Sequence, residues 1–242
     1  MRLSLLGEFF LHVLLPKTCF CCGADLKFAS QDPLCPVCEK ELRTPGKLVC
    51  RRCGVPLKDG GAHCYQCRGV KADGFKCKII RSALLFNPAS RSLVHAFKYS
   101  GYTHLARYMG RRMLLHFKEY PELADTDLLV PVPLHAKKLR RRGYNQSELL
   151  ARAFARETGL PCDCACLLRR RDTPSQTRLN RAGRLANMTD AFACVSPERI
   201  KGKTVLLVDD VATTGATLEG CAQALKAAGA KRVLAYTFSR EP

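Results

Sequence analysis

Residues 205–218 read VLLVDDVATTGATL, and this stretch decides the fold. Val205 to Val208 form a short apolar run of the kind that predicts a strand buried on both faces, as in parallel sheets. Asp209 and Asp210 interrupt it, a Thr/Gly turn follows, and a helix is expected from Ala216 to Ala228. Ligands of open α/β sheets bind at the carboxyl ends of the strands, where this reading places the two carboxylates. Gly215 lets the backbone approach a phosphate. The turn from Ala212 through Thr213, Thr214, Gly215 and Ala216 to Thr217 offers amides and hydroxyls at a helix amino terminus, which favours negative charge.

Outward from this stretch, elements of the two kinds alternate. Strands are expected at 79–86, 127–132, 204–208 and 232–237, and helices at 90–99, 104–119 and 146–157. Such alternation predicts an α/β domain with a mainly parallel sheet and helices on both faces. The expected span of this domain is 77–242, after a boundary near 68–76, where Gly69 and Gly74 flank polar residues.

The preceding segment has a different character. Ten of the 15 cysteines lie before residue 78, and eight of them form four C-x2-C pairs. Cys19 and Cys22 with Cys35 and Cys38, and Cys50 and Cys53 with Cys64 and Cys67, supply two sets of four thiolates. Each set suits a closed structural zinc site with bonds of about 2.3 Å. Spacing leaves open an iron–sulfur alternative, an interleaved pairing of the knuckles, and the substitution of Cys21 for a neighbour. Residues 17–70 are therefore read as a double zinc ribbon. Before them, residues 1–16 place Leu6, Phe9, Phe10, Val13 and Leu14 near one face of a helix ended by Pro16, either packing on its own protein or lying on a membrane surface.

Forty Lys and Arg against 21 Asp and Glu give a formal charge of +19. Two zinc–tetrathiolate sites, each at net −2, would leave about +15, still favouring phosphate-rich partners. The charge is concentrated: residues 134–184 hold thirteen Lys or Arg and four acidic residues. Lys137, Lys138, Arg140, Arg141, Arg169, Arg170, Arg171 and Arg178 are the candidate nucleic-acid contacts, with a solvated charge run as the alternative for 137–142. Tyr144 is the clearest stacking candidate. The thiol pattern favours a reduced, cytoplasmic setting, and no segment reads as an integral membrane span.

The 205–218 segment resembles the phosphoribosyl pyrophosphate (PRPP) signature of type I phosphoribosyltransferases. Adjacent carboxylates suit the vicinal hydroxyls of a ribose, directly or through Mg2+, while the turn holds the 5′-phosphate. The purine-salvage branch carries an acidic residue where this chain has Thr213, which weakens a purine-salvage role. FKYSGYTHLA at 97–106, VPVPLHAKKLRRRGYNQSELLA at 130–151 and RRRDTPSQTRLNRAGRLANMTDAF at 169–192 extend the likeness. With the amino-terminal ribbon, the chain resembles the ComF family of competence proteins. The resemblance implies PRPP and Mg2+ at Asp209 and Asp210, with Lys98 and Arg142 as further phosphate contacts. It also implies single-stranded DNA handling in natural transformation, beside competence-machinery proteins at the cytoplasmic side of the inner membrane. Two other expectations stand beside it: an active phosphoribosyltransferase with an unidentified nucleophile, Asp209 and Asp210 being its catalytic pair, and a non-catalytic PRPP sensor.

Overall fold

The computed structural model describes residues 16–69, 74–172 and 190–242. The expected helix within 1–16, part of the 68–76 boundary, and Arg178 lie outside these residues. The central sheet has four parallel strands in the order β1-β6-β5-β2, formed by β1 (Cys77–Leu85), β2 (Leu128–Pro131), β5 (Thr204–Ala212) and β6 (Arg232–Arg240). A short antiparallel hairpin, β3 (Leu167–Arg169) and β4 (Phe192–Cys194), stands apart from it.

Helices α2 (Pro88–Tyr99), α3 (Leu105–Phe117) and α5 (Gln146–Thr158) cover one face, where Leu206, Val208, Leu234, Tyr236 and Phe238 share a core with Phe97, Met109, Met113 and Phe154. On the opposite face, after the short α6 (Pro197–Ile200), α7 (Ala216–Ala227) buries Leu218, Cys221, Ala222 and Leu225 against Val205, Leu207, Val233 and Ala235. Alternate residues of β5 thus enter two separate cores, as the unbroken apolar run requires. Tyr236 is fully buried, and its hydroxyl is satisfied by donating to the Met113 carbonyl at 2.8 Å.

Two differences from the sequence reading matter for the site. β5 does not stop at Val208: pairing with β6 continues through Asp209↔Thr237 to Ala212↔Arg240, so both carboxylates sit inside the strand. The basic run at 137–142 lies on a short helix, α4 (Ala136–Arg142), whose amino end is capped by the His135 ring accepting from the Lys137 amide and whose carboxyl end is closed by Gly143 at φ 83°.

The four knuckles pair consecutively. The Sγ atoms of Cys19, Cys22, Cys35 and Cys38 lie within 4.8 Å of one another, as do those of Cys50, Cys53, Cys64 and Cys67. Cys22 and Cys35 are 3.7 Å apart, as are Cys53 and Cys64. A tetrahedron with metal–sulfur bonds of about 2.3 Å has edges of about 3.8 Å, so both thiol sets fit zinc. Cys21 and Cys77 belong to neither set. Cys38 opens the short helix α1 (Pro36–Lys40) toward the α2–α3 core, while the second set packs with Val55 and Leu57 in a cluster of its own.

Candidate functional site

The site is built at the carboxyl edge of the sheet, where β5, the turn after it, α2 and α5 converge. Asp209 is buried, and its Oδ1 accepts from the Ser147 hydroxyl at 2.6 Å and from the Asp210 amide at 2.9 Å. Ser147 reaches it because α5 starts at this edge, capped by Asn145, whose Oδ1 accepts from the Ser147 amide and whose Nδ2 donates to the Val132 carbonyl at the end of β2. Burial, and then the charge of Asp210, push the Asp209 carboxyl up to about 7, against the lowering effects of Ser147 and Lys98.

Asp210 points to the other face of the strand and pairs with Lys98 from the last turn of α2, Nζ to Oδ2 at 2.9 Å. Burial works to lower the Lys98 pKa, but Asp210 first and Asp209 after it overcome burial and raise it. Lys98, expected from the family likeness as a phosphate contact, is therefore engaged with a carboxylate in this structure. Arg142 sits over the exposed Tyr99 ring, 5.3 Å from its centroid, and donates to the Gln146 side chain.

Beyond the carboxylates, Gly215 is the amino cap of α7 at φ 78°, a backbone conformation that side chains disfavour. No side chain caps that helix from position 215, so its first amides face the turn carrying exposed Thr213 and half-buried Thr214 and Thr217. Thr214 Oγ1 accepts from the Ala216 amide at 3.4 Å. Asp209, Asp210 and the 212–217 turn thus come together with Ser147 and Lys98. The two carboxylates offer only oxygen donors, the kind Mg2+ takes, and Asp210 Oδ2 is engaged by Lys98.

The basic residues also converge. An isolated parallel bridge joins His135 to Arg169, which sets β3 beside the start of α4. On α4, Lys138 is 3.7 Å from Asp172, and burial followed by the Arg169 charge lowers its pKa; Lys137, Arg140 and Arg141 stand on the same short helix. Arg170 and Arg171 are exposed, whereas Arg169 is half-buried over Phe192 at 5.4 Å. Tyr144 is not an open stacking platform: its hydroxyl donates to the Phe97 carbonyl and its ring leans on Phe97. Tyr99, 64% exposed at the mouth of the site, is the freer ring.

Three contributors escaped the sequence reading. Ser147 lay in a quoted segment, and its position in the first turn of a helix starting at the sheet edge was the available signal. Glu219 is buried in α7 and accepts from the Lys76 and Cys77 amides at 2.7 and 3.0 Å, tying the helix after the 212–217 turn to the start of β1. Ile80 stands between that turn and the second thiol set. A Cβ on Gly215 would lie 3.0 Å from Ile80 Cδ1, and one on Gly54 2.6 Å from the Ile80 carbonyl oxygen.

Known proteins show the same combination. A double zinc ribbon family model matches residues 10–68, and a phosphoribosyl transferase domain model matches 145–242. The DNA utilization protein YhgH of Escherichia coli K12 is 30% identical over 229 residues, covering 93% of this chain and 98% of that protein. The chain belongs to the ComF family. Its other members include Competence protein F of Haemophilus influenzae, 28% identical over 92% of this chain and 96% of that one, and Competence protein ComFC of Bacillus subtilis, 27% identical over 86% and 85%. The ComF assignment accounts for both halves of the chain at once, the paired thiol sets and the parallel sheet with its acidic strand end. Among the described residues no helix is long and apolar enough to cross a membrane.

Proposed function

We propose that this chain binds PRPP with Mg2+ at the carboxyl edge of its sheet and handles single-stranded DNA during natural transformation, as a cytoplasmic protein acting next to the inner membrane. The observation that carries the reading is the buried Asp209–Asp210 pair inside β5, leading directly into a turn with Gly215 at positive φ as the amino cap of the following helix. Asp209 and Asp210 would hold the ribose hydroxyls or Mg2+. The ion, when bound, neutralises the diphosphate. The amides of the 212–217 turn would take the 5′-phosphate, and Arg142 and Lys98 lie at the mouth for the pyrophosphate, Lys98 exchanging one anion for another. Residues 17–70 serve as the zinc-bound module and 77–242 as the binding domain.

Calorimetry with PRPP and Mg2+ tests this. Binding by the wild type and its loss in Asp209→Asn/Asp210→Asn is expected; unchanged binding in the double variant would remove the assignment. For DNA, the joined patch of α4 and Arg169–Arg171 supports contact with a polyanion through counterion release. The Arg169→Ala/Arg170→Ala/Arg171→Ala variant should lower the magnitude of the salt slope by about 2, at about 0.7 per lost contact on a single strand. A folded variant with the wild-type slope makes these arginines a solvated face.

Turnover is the second reading, favoured by Asp209: a carboxyl held near neutrality can accept a proton from an incoming nucleophile. Pyrophosphate release from PRPP, Mg2+ and a panel of amine and hydroxyl acceptors, absent in Asp210→Asn, is the expected signature.

A further inference from the structure

Cys162 and Cys164 form a C-x-C pair that belongs to neither thiol set, and their Sγ atoms stand 3.6 Å apart. The backbone explains the approach. The Leu129 amide donates to the Pro161 carbonyl at 2.8 Å and the Asp163 amide to the Leu129 carbonyl at 3.0 Å, so Cys162 is bridged in parallel to the edge of β2. Side chains two apart on an extended chain share a side, while the one between them points away. Asp163 Oδ1 accepts from the Ala165 and Cys166 amides at 2.9 and 3.1 Å, and its Oδ2 accepts from Arg199 of α6 at 3.2 Å, which fixes the bend that follows the pair.

Both thiols are partly exposed, unlike Cys77, Cys166 and Cys221, which are buried. Among the described residues no third His, Cys, Asp or Glu joins the pair to make a metal-binding group. The hydrogen bond with Cys162 is the leading cause that holds the Cys164 thiol below its ordinary pKa, with burial opposing it and the Arg152 charge adding to it. The same contact, and then burial, pushes Cys162 up. A thiolate beside a protonated thiol is the arrangement from which thiol exchange proceeds.

We propose that Cys162 and Cys164 are a reversible dithiol–disulfide site that exchanges with small-molecule disulfides. The Cys164 thiolate attacks one sulfur of the small disulfide RSSR, forming a Cys164–SR mixed disulfide and releasing RS−, which takes up the proton that Cys164 gave away. The Cys162 sulfur then attacks Cys164 Sγ, and the second small thiol leaves with the Cys162 proton. Two protein thiols are oxidised to one disulfide, and RSSR is reduced to two RSH. A partly exposed disulfide is of the labile kind, and in a reducing setting the site rests as the dithiol.

The experiment exposes the zinc-loaded full chain to defined mixtures of oxidised and reduced glutathione, traps free thiols with iodoacetamide in denaturant, and reads by mass spectrometry the tryptic peptide 157–169, which holds Cys162, Cys164 and Cys166. In oxidising mixtures the peptide should carry one alkyl group, on Cys166, and an internal disulfide between the other two. Excess reduced glutathione should return it to full alkylation. In Cys162→Ser, which lacks the resolving sulfur, glutathione should stay on Cys164, and in Cys164→Ser its uptake at Cys162 should be at least tenfold slower. A wild-type peptide that remains fully alkylated in the oxidising mixture overturns the proposal, as does one that keeps glutathione without closing the disulfide or that closes it through Cys166. These readings come from the wild type and stand even where a variant fails to fold.

Discussion

The two four-thiolate centres use the same ligands at similar spacing, yet they meet the rest of the molecule differently. The first is packed against the helices: Cys19, Leu26, Leu34 and Cys38 enter their core, and Glu39 of α1 pairs with Arg112 of α3 at 2.7 Å and accepts from the Tyr108 hydroxyl. The second is fastened to the sheet by backbone. The Ile80 amide donates to the Arg52 carbonyl at 2.7 Å, and Arg81 reaches the Arg51 carbonyl at 3.0 Å. Ligand spacing determines whether a metal can bind, but the environment of the loop determines what the metal supports. The first centre braces the helices on one face of the sheet, while the second stands behind the turn that carries Gly215.

The strongest way to break this contrast is to remove one thiol from each centre. Cys53→Ala should lose one zinc by metal analysis, lower the melting temperature by more than 10 °C, and weaken PRPP binding at least tenfold, because structural zinc supplies about 10 kcal/mol or more of folding energy to its module. Cys35→Ala should also lose one zinc but leave PRPP affinity within about twofold. Equal effects of the two on PRPP would erase the distinction.

A milder pair of variants probes the attachments. Arg81→Met leaves Glu122 without its buried partner and strips hydrogen bonds from the ribbon backbone, so denaturant melts should show a loss of about 3 to 5 kcal/mol. Arg112→Met breaks a pair that is about a quarter exposed on each side and should cost about 1 kcal/mol.

The knuckle glycines share left-handed backbone but not surroundings. Gly23 at φ 76° has open space where a Cβ would go, whereas Gly54 at φ 73° has the Ile80 carbonyl 2.6 Å away. Alanine should cost about 1 kcal/mol at 23, the conformational penalty alone, and about 2 to 3 kcal/mol at 54, where β1 must also shift. Comparable melting points for the two variants would show that the second knuckle has slack against the sheet.

Much of this was legible in the chain because local signals agreed with the global fold. VLLVDD combined a buried-strand run with charge at its end, and four C-x2-C pairs can satisfy few arrangements other than metal sites. The knuckle order stayed open until folding brought the sulfurs together, since spacing alone does not choose between consecutive and interleaved pairing. The strand end was misplaced because Asp209 and Asp210 look like loop residues, and only pairing with β6 keeps them extended. Lys137–Arg142 gave no helix signal because its short helix depends on the His135 cap and the Gly143 stop.

The wedge of Ile80 between Gly54 and Gly215 bears on how such a molecule can be altered over time. The thiol module and the sheet meet at Ile80, so a ribbon borrowed from a relative arrives at a surface shaped for another knuckle. Exchange of the amino-terminal half alone would be penalised unless residues 54, 80 and 215 travelled together. The two halves are therefore bound to a shared history, and substitutions at these three positions should be inherited as a set.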